Sequence, residues 1–543
     1  MKKRSVFILA FVLVLQCFIF GKLQFHTAPG GDEVFSYTLA NTPYSYDYID
    51  HTWKHLPQSN GWIDASILKE SYEVTQADRF NYGIVYWHER LDNHPVLYYS
   101  LVHTVSSFFA GQWRPYCGEI INIGAFIGID LILLLMFQYL TGTAAAAAVP
   151  ILMMTLMSTV ARLACLQRMY SLLALWGIWY FWINIRFVSK RKCTKWQFLE
   201  MIVVVFLGSL THYYFYVYAF CVSLFALFWM IREKKIQRLL NYVFSGIMAV
   251  SLSLIAFPWM IWHIFFNQMK LHENIAGWDA KKAAIYFGFM NKILFNGRGY
   301  IFLILLVFLL LYYFLTAKSN KIEQGGMIRQ EKAKLTFSIF SENRYGMFMA
   351  LGSAVFYSLI IYTLDGTSWY YMTGIYLPWI VFASDILIRG LEILIKRQPG
   401  SSQKKVSSDS AIIIAMGIVV VVLGVSSIRN YIAEKVGQYS DWKSFHEAAI
   451  SASDHDCIYV QASQDNLLSG IWFELGEYDE IKKLTPQEYA DGKLSDQSLA
   501  GRKTVTDGLV VFTPANCNAP VLQNGSTGKE IAKYNGMICW EIK

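Results

Sequence analysis

Two acids stand side by side near the start of the chain, in Gly30-Gly31-Asp32-Glu33, about ten residues beyond a long apolar run. A carboxylate at an apolar boundary loses part of its water, holds a proton more readily and so suits the work of a general base. The same four residues also fit a solvated turn with incidental acids. A second group, Asp92-Asn93-His94-Pro95-Val96-Leu97-Tyr98-Tyr99, sets an imidazole beside a proline that permits helix entry and two tyrosines suited to a membrane interface. His94 alone would equally serve as a cap. A third group, Ala161 to Tyr170, carries Arg162 and Arg168 between two apolar runs. Arginine grips phosphate with a bidentate fork, although arginines at helix ends also snorkel to water. The fourth, Leu210-Thr211-His212-Tyr213-Tyr214, interrupts another apolar stretch. Polar groups at such a break line a cavity, or a helix-end histidine is satisfied by a carbonyl.

The elements that must position these groups are membrane helices. The chain has 543 residues, 55% hydrophobic and 16% charged, whereas a soluble domain carries about a quarter charged residues. Its apolar residues gather in runs long enough for a bilayer, such as Ser5–Phe20, Ile301–Phe314 and Ala411–Val425. The net charge of +8 comes from short clusters between such runs and not from a basic stripe with interleaved aromatics, which excludes a nucleic-acid surface. The start, Lys2-Lys3-Arg4 and then an apolar stretch, lacks a small-residue cleavage pattern and reads as an uncleaved first span.

Lysine and arginine favour cytoplasmic loops. Eleven spans, near 5–21, 119–140, 143–160, 169–188, 198–211, 213–231, 242–265, 299–317, 345–362, 371–388 and 411–427, place the clusters Lys2–Arg4, Lys190–Lys195, Arg232–Arg238, Lys318–Lys334 and Arg397–Lys405 inside. Val96–Phe109, about fourteen residues, is short for a span and is expected as an interfacial or re-entrant helix. Three regions then face outward: 22–118, 266–298 with His272, Trp278 and Arg298, and the polar end of the chain. The predicted domains are 1–428, spanning the membrane, and 429–543, a small extracytoplasmic α/β domain with β-rich runs Cys457–Gln461 and Gly508–Phe512 and a helical Trp442–Ala452. Of eight cysteines, Cys457, Cys517 and Cys539 fall in that domain, where a single disulfide among the three is open. No Cys/His metal spacing occurs.

Singly these groups are weak, but their order resembles the GT-C superfamily of lipid-linked-sugar glycosyltransferases, in the branch of protein O-mannosyltransferases and aminoarabinose transferases. Asp32-Glu33 matches that family's acidic pair after the first helix, and His94-Pro95-Val96-Leu97-Tyr98-Tyr99 its His-Pro-Pro-Leu-Tyr-Tyr segment. Leu166-Gln167-Arg168-Met169-Tyr170, Thr211-His212-Tyr213 and Phe257-Pro258-Trp259 follow in the family's order, over roughly residues 5–390. Val96 replaces a second proline, and Gln167 stands where an acid is common, so a role for that acid is in doubt here.

The resemblance implies a mainly α, polytopic membrane enzyme with the GT-C fold. It implies an inverting transfer of sugar from a polyprenyl-phosphate donor to a protein, cell-wall polymer or lipid-linked glycan at the outer face of the cell membrane. Asp32 would be the base, with Glu33 as helper or acceptor positioner. Arg168, then Arg162, would meet the lipid phosphate, while His94, Tyr98, Tyr170 and His212 would line the donor or acceptor cavity. Some relatives use a divalent cation. With no dense carboxylate cluster nearby the site is expected to be metal-free, Mg²⁺ or Mn²⁺ remaining the alternative. A transporter or lipid flippase would instead favour mid-span ionisable residues, of which Asp130 is the clearest, and internal repeats, which are not evident. A non-catalytic envelope subunit is the third reading.

Overall fold

The computed structural model describes residues 3–44, 58–59, 61–114, 116–189, 194–266, 280–301, 303–304, 344–365, 368–396, 408–461, 471–491, 508–522 and 525–543. Cys193, His272, Trp278, most of the 299–317 run and the basic stretches Lys318–Lys334 and Arg397–Lys405 lie outside the described residues.

The chain is mostly helical and forms two compact units, residues 1–22 with 122–432 and residues 23–121 with 433–543. The sequence boundary at 428 separated the tail from everything before it. The structure instead groups 23–121 with the tail, because strands from both segments share one sheet.

In the first unit, apolar composition dictates membrane helices. Among the described residues six helices are long and apolar enough to cross a bilayer: Arg4–Gln24, Cys117–Thr141, Tyr170–Val188, Tyr214–Arg232, Ile236–Ala256 and Trp369–Glu392. Two more candidates are bent pairs, Ala144–Leu156 with Ser158–Cys165 at 78° and Asp409–Leu423 with Val425–Ser451 at 58°. This is a multi-pass membrane protein. The expected 198–211 and 345–362 runs are helical as Lys195–Ser209 and Arg344–Asp365, and the 242–265 run is divided at Phe257-Pro258. A proline removes an N–H and starts a new helix more readily than it continues one. Between helices the glue is polar. The Tyr180 hydroxyl bonds Ser223 at 2.7 Å and Tyr242 at 2.9 Å, and Tyr242 donates to Asn184 at 2.7 Å.

The second unit is built on a sheet of seven strands among the described residues: β1 (Gln58–Ser59), β2 (Trp62–Asp64), β3 (Asp456–Val460), β4 (Glu480–Leu484), β5 (Leu509–Pro514), β6 (Lys529–Tyr534) and β7 (Met537–Ile542). Their order is β1-β2-β4-β3-β5-β7-β6, with β3 parallel to β4 and β5 and the other pairs antiparallel. Side chains alternate faces along a strand, so Ile458 and Val460, Leu509 and Val511, and Ile538 and Trp540 point to one face and bury it with Trp62. Four short helices of this unit, Gly31–Asn41, Ser66–Tyr72, Tyr82–Leu91 and Leu97–Ser107, pack on one another. Leu97–Ser107 has 11 residues and at 1.5 Å per residue reaches about 16 Å, roughly half the hydrocarbon thickness, so it is not a span. The described cysteines are all free thiols, Cys457, Cys517 and Cys539 included, so none of these three is bridged to another. Burial pushes the Cys539 thiol up to about 12 and raises Cys457 as well, as expected of structural rather than reactive sulfur.

Candidate active site

Asp32 and Glu33 occupy the first turn of Gly31–Asn41, where acids complement the positive end of a helix. They do not play the same part. Glu33 is buried, and its Oε2 turns back to accept the Gly30 backbone N–H at 3.0 Å, satisfying a donor the helix leaves open. A Cβ at Gly30 would come within 2.7 Å of Glu33 Oε2, so a side chain there would push the carboxylate aside. Asp32 is exposed. One acid therefore holds the backbone and its neighbour faces water.

The helix carrying them is anchored along its length. Tyr37, fully enclosed, accepts the Gly118 N–H at 3.0 Å, and Asn41 donates to the Tyr72 carbonyl at 2.9 Å and to Ser106 Oγ at 3.2 Å. His88 Nε2 lies 2.8 Å from the Tyr44 carbonyl, and burial holds the His88 and His103 imidazoles below their ordinary value.

His94 lies in the link between Tyr82–Leu91 and Leu97–Ser107, its Nδ1 2.5 Å from Asp92 Oδ2. The ring is 6.2 Å from that of Tyr99. Tyr98 is fully buried, edge-on to Tyr99 with ring centres 5.6 Å apart, so it supports this segment from within the core.

The remaining candidates belong to the first unit. Arg162 ends the short helix Ser158–Cys165, where a cation suits the negative end, and its guanidinium lies 5.1 Å from the Tyr431 ring centre. Arg168 follows in the link to Tyr170–Ser189 and is 8% exposed, a burial that a guanidinium tolerates only when partnered. Gln167, at the family's acid position, is also buried.

The structure brings Tyr170 and His212 together, ring centres 5.4 Å apart. His212 occupies the break between Lys195–Ser209 and Tyr214–Arg232, and its Nδ1 accepts the Tyr214 backbone N–H at 3.0 Å. An Nδ1 that accepts leaves the ring proton on Nε2. Thr211 Oγ1 receives the Trp176 indole N–H at 3.0 Å and donates to the Leu207 carbonyl at 2.8 Å, which fixes the break.

Two residues of this cluster escaped the sequence reading. Tyr370 and Tyr371 face Tyr170 at 5.0 and 6.0 Å, and Tyr371 also meets Tyr214 at 5.1 Å. Their signal was the aromatic run Trp369-Tyr370-Tyr371 opening an apolar stretch. Tyr214 also lines a small apolar cavity with Leu173, Gly177, Tyr218, Tyr357 and Leu377. Among the described residues no three His, Cys, Asp or Glu side chains assemble as a metal site.

No family model matches this sequence, and no curated protein matches it. Solved structures do. ArnT from Cupriavidus metallidurans, bound to undecaprenyl phosphate, superposes with a TM-score of 0.50 at 9% identity over 99% of this chain and 97% of its own. The apo state of that protein gives the same values. The archaeal oligosaccharyltransferase AglB from Archaeoglobus fulgidus, in complex with an inhibitory peptide and a dolichol-phosphate, scores 0.39 at 10% identity over 95% of this chain and 70% of its own. The fold shared with ArnT over nearly the whole chain is the GT-C fold that the spaced motifs of this sequence resemble.

Proposed function

We propose that this protein is a membrane-embedded inverting glycosyltransferase that moves a sugar from a polyprenyl phosphate to an acceptor hydroxyl at the outer face of the cell membrane. The acceptor is a protein, a cell-wall polymer or a lipid-linked glycan. The observation that carries the reading is the division of labour in the acidic pair, with Glu33 spent on the helix start and Asp32 exposed beside it. The undecaprenyl phosphate held by an ArnT of the same fold supports the donor class.

In the proposed step the acceptor oxygen attacks the anomeric carbon and its proton passes to Asp32. The bond from that carbon to the phosphate oxygen breaks, and its electron pair stays on the lipid phosphate. Arg168, then Arg162, offset the charge that develops there. Tyr170 and His212 contact the donor, and His94 contacts substrate. Glu33 acts as helper by fixing the turn that presents Asp32. The step is written without a metal.

The test uses purified protein in sealed proteoliposomes, polyprenyl phosphates bearing different labelled sugars, and envelope extract as acceptor, with and without EDTA. Consumption of one donor with release of polyprenyl phosphate is the expected result, unchanged by EDTA. Movement of labelled lipid between leaflets with no donor consumed would overturn the reading in favour of a carrier.

A further inference from the structure

The pair Asp92–His94 raises a question that the acidic pair does not answer. Asp92 closes the helix Tyr82–Leu91, its backbone N–H bonded to the His88 carbonyl at 3.0 Å, and the residue is 6% exposed. This is a poor place for an acid. The end of a helix carries partial negative charge, and burial strips the carboxylate of water. An acid held there needs a strong donor, and His94 Nδ1 supplies one at 2.5 Å.

The contact also fixes the imidazole. His94 precedes Pro95, which restricts the backbone of the residue before it to extended conformations. With the main chain limited on one side and Asp92 holding Nδ1 on the other, the ring has little freedom left. Nδ1 keeps its proton toward the carboxylate, and the ring presents Nε2 on its opposite edge. The His94 side chain retains 23% exposure against 8% for Asp92, so the histidine, and not the acid, is the member that can meet a ligand.

We propose that Asp92 is a positioning residue. It sets the tautomer and direction of His94 so that Nε2 accepts a hydrogen bond from a substrate hydroxyl. This rests on the glycosyltransferase reading, in which that hydroxyl belongs to the sugar being transferred or to its acceptor. Asp92 itself does not touch substrate. The role differs from that of Asp32, which takes the acceptor proton.

The test is a double-mutant cycle on the full-length protein. Wild type, Asp92→Asn, His94→Gln and the double variant are compared for kcat and KM in sugar transfer and for thermal midpoint. Asp92→Asn keeps the side-chain shape at the helix end but lets an amide N–H face Nδ1, which turns the imidazole to the wrong tautomer. Each single variant is expected to lose about tenfold or more in kcat/KM with little change in thermal midpoint. The double variant should be no worse than His94→Gln, because a residue acting through another adds nothing once its partner is gone.

A second readout does not need activity. ¹⁵N-histidine spectra, with the His94 signals assigned by their loss in His94→Gln, should show the Nδ1–H form in wild type and a shift toward Nε2–H in Asp92→Asn. Losses that multiply in the double variant, or an Asp92→Asn enzyme within about twofold of wild type, would overturn the positioning role and leave the transferase reading standing. A wild type that transfers sugar from no polyprenyl phosphate would overturn that reading. In that case the spectra still decide the pair, and an Nε2–H form in wild type would refute it.

Discussion

At the scale of single residues, two adjacent like groups take different places, Glu33 buried and Asp32 exposed. Glu33 and Asp32 are adjacent in sequence, but only Glu33 reaches the Gly30 N–H. The family resemblance assigned Asp32 as base and Glu33 as its helper, but that Glu33 reaches back to the helix start was not legible in sequence, because it depends on the local fold. His88 and His103 show the same logic with a measurable outcome. Burial holds both imidazoles below the ordinary histidine value of about 6.5, so the unfolded chain binds protons that the folded unit refuses. Stability from these groups therefore rises with pH from their lowered folded values up to about 6.5 and falls on acidification. Glu73, raised by burial, works in the opposite sense at lower pH. The thermal midpoint is expected to climb as pH rises toward about 6.5 and to flatten in a His88→Gln/His103→Gln variant. Equal slopes in the two proteins would refute this.

At the scale of elements, legibility followed range. The runs around Cys457–Gln461 and Gly508–Phe512 were readable as strands because each is a continuous β-rich apolar stretch, and they are β3 and β5. Glu480–Leu484 carries two lysines and gave no such signal, yet it sits inside the sheet as β4 with Lys482 lying 6.0 Å from the Trp62 ring centre. β2 was invisible for a different reason. Three residues have no periodicity, and the partner strand of Trp62 lies at Lys482, far beyond any local pattern. Aromatic contacts reinforce the sheet pairing. Trp113 stacks on Phe473 at 3.9 Å and 20°, edges against Tyr72 at 6.0 Å, and its backbone N–H bonds Glu73 at 2.9 Å. Trp113→Ala should cost about 2 kcal/mol in apolar burial and ring contact, with Trp113→Phe costing less. Thermal denaturation of both variants checks this, and an Ala variant as stable as wild type would contradict it.

At the scale of the whole molecule, hydropathy made the multi-pass class legible, because membrane helices announce themselves by length and composition. The grouping of residues 23–121 with 433–543 was not legible, since it is written in strand pairing rather than in composition. It changes what the tail is expected to do. Residues 433–543 supply β3 to β7, so a chain ending at Ile432 would leave β1 and β2 without their sheet. Such a truncation should make 23–121 sensitive to protease and abolish sugar transfer. Full activity in the truncated protein would show that the tail is accessory.

The most direct measurement compares wild type with Asp32→Asn for sugar transfer from its polyprenyl-phosphate donor, at matched folding and donor binding. A positioned base contributes roughly 10²–10⁴-fold, so the variant should lose that much in kcat while its thermal midpoint stays near that of wild type. Equal rates in the two proteins would contradict the assignment of Asp32 as the base.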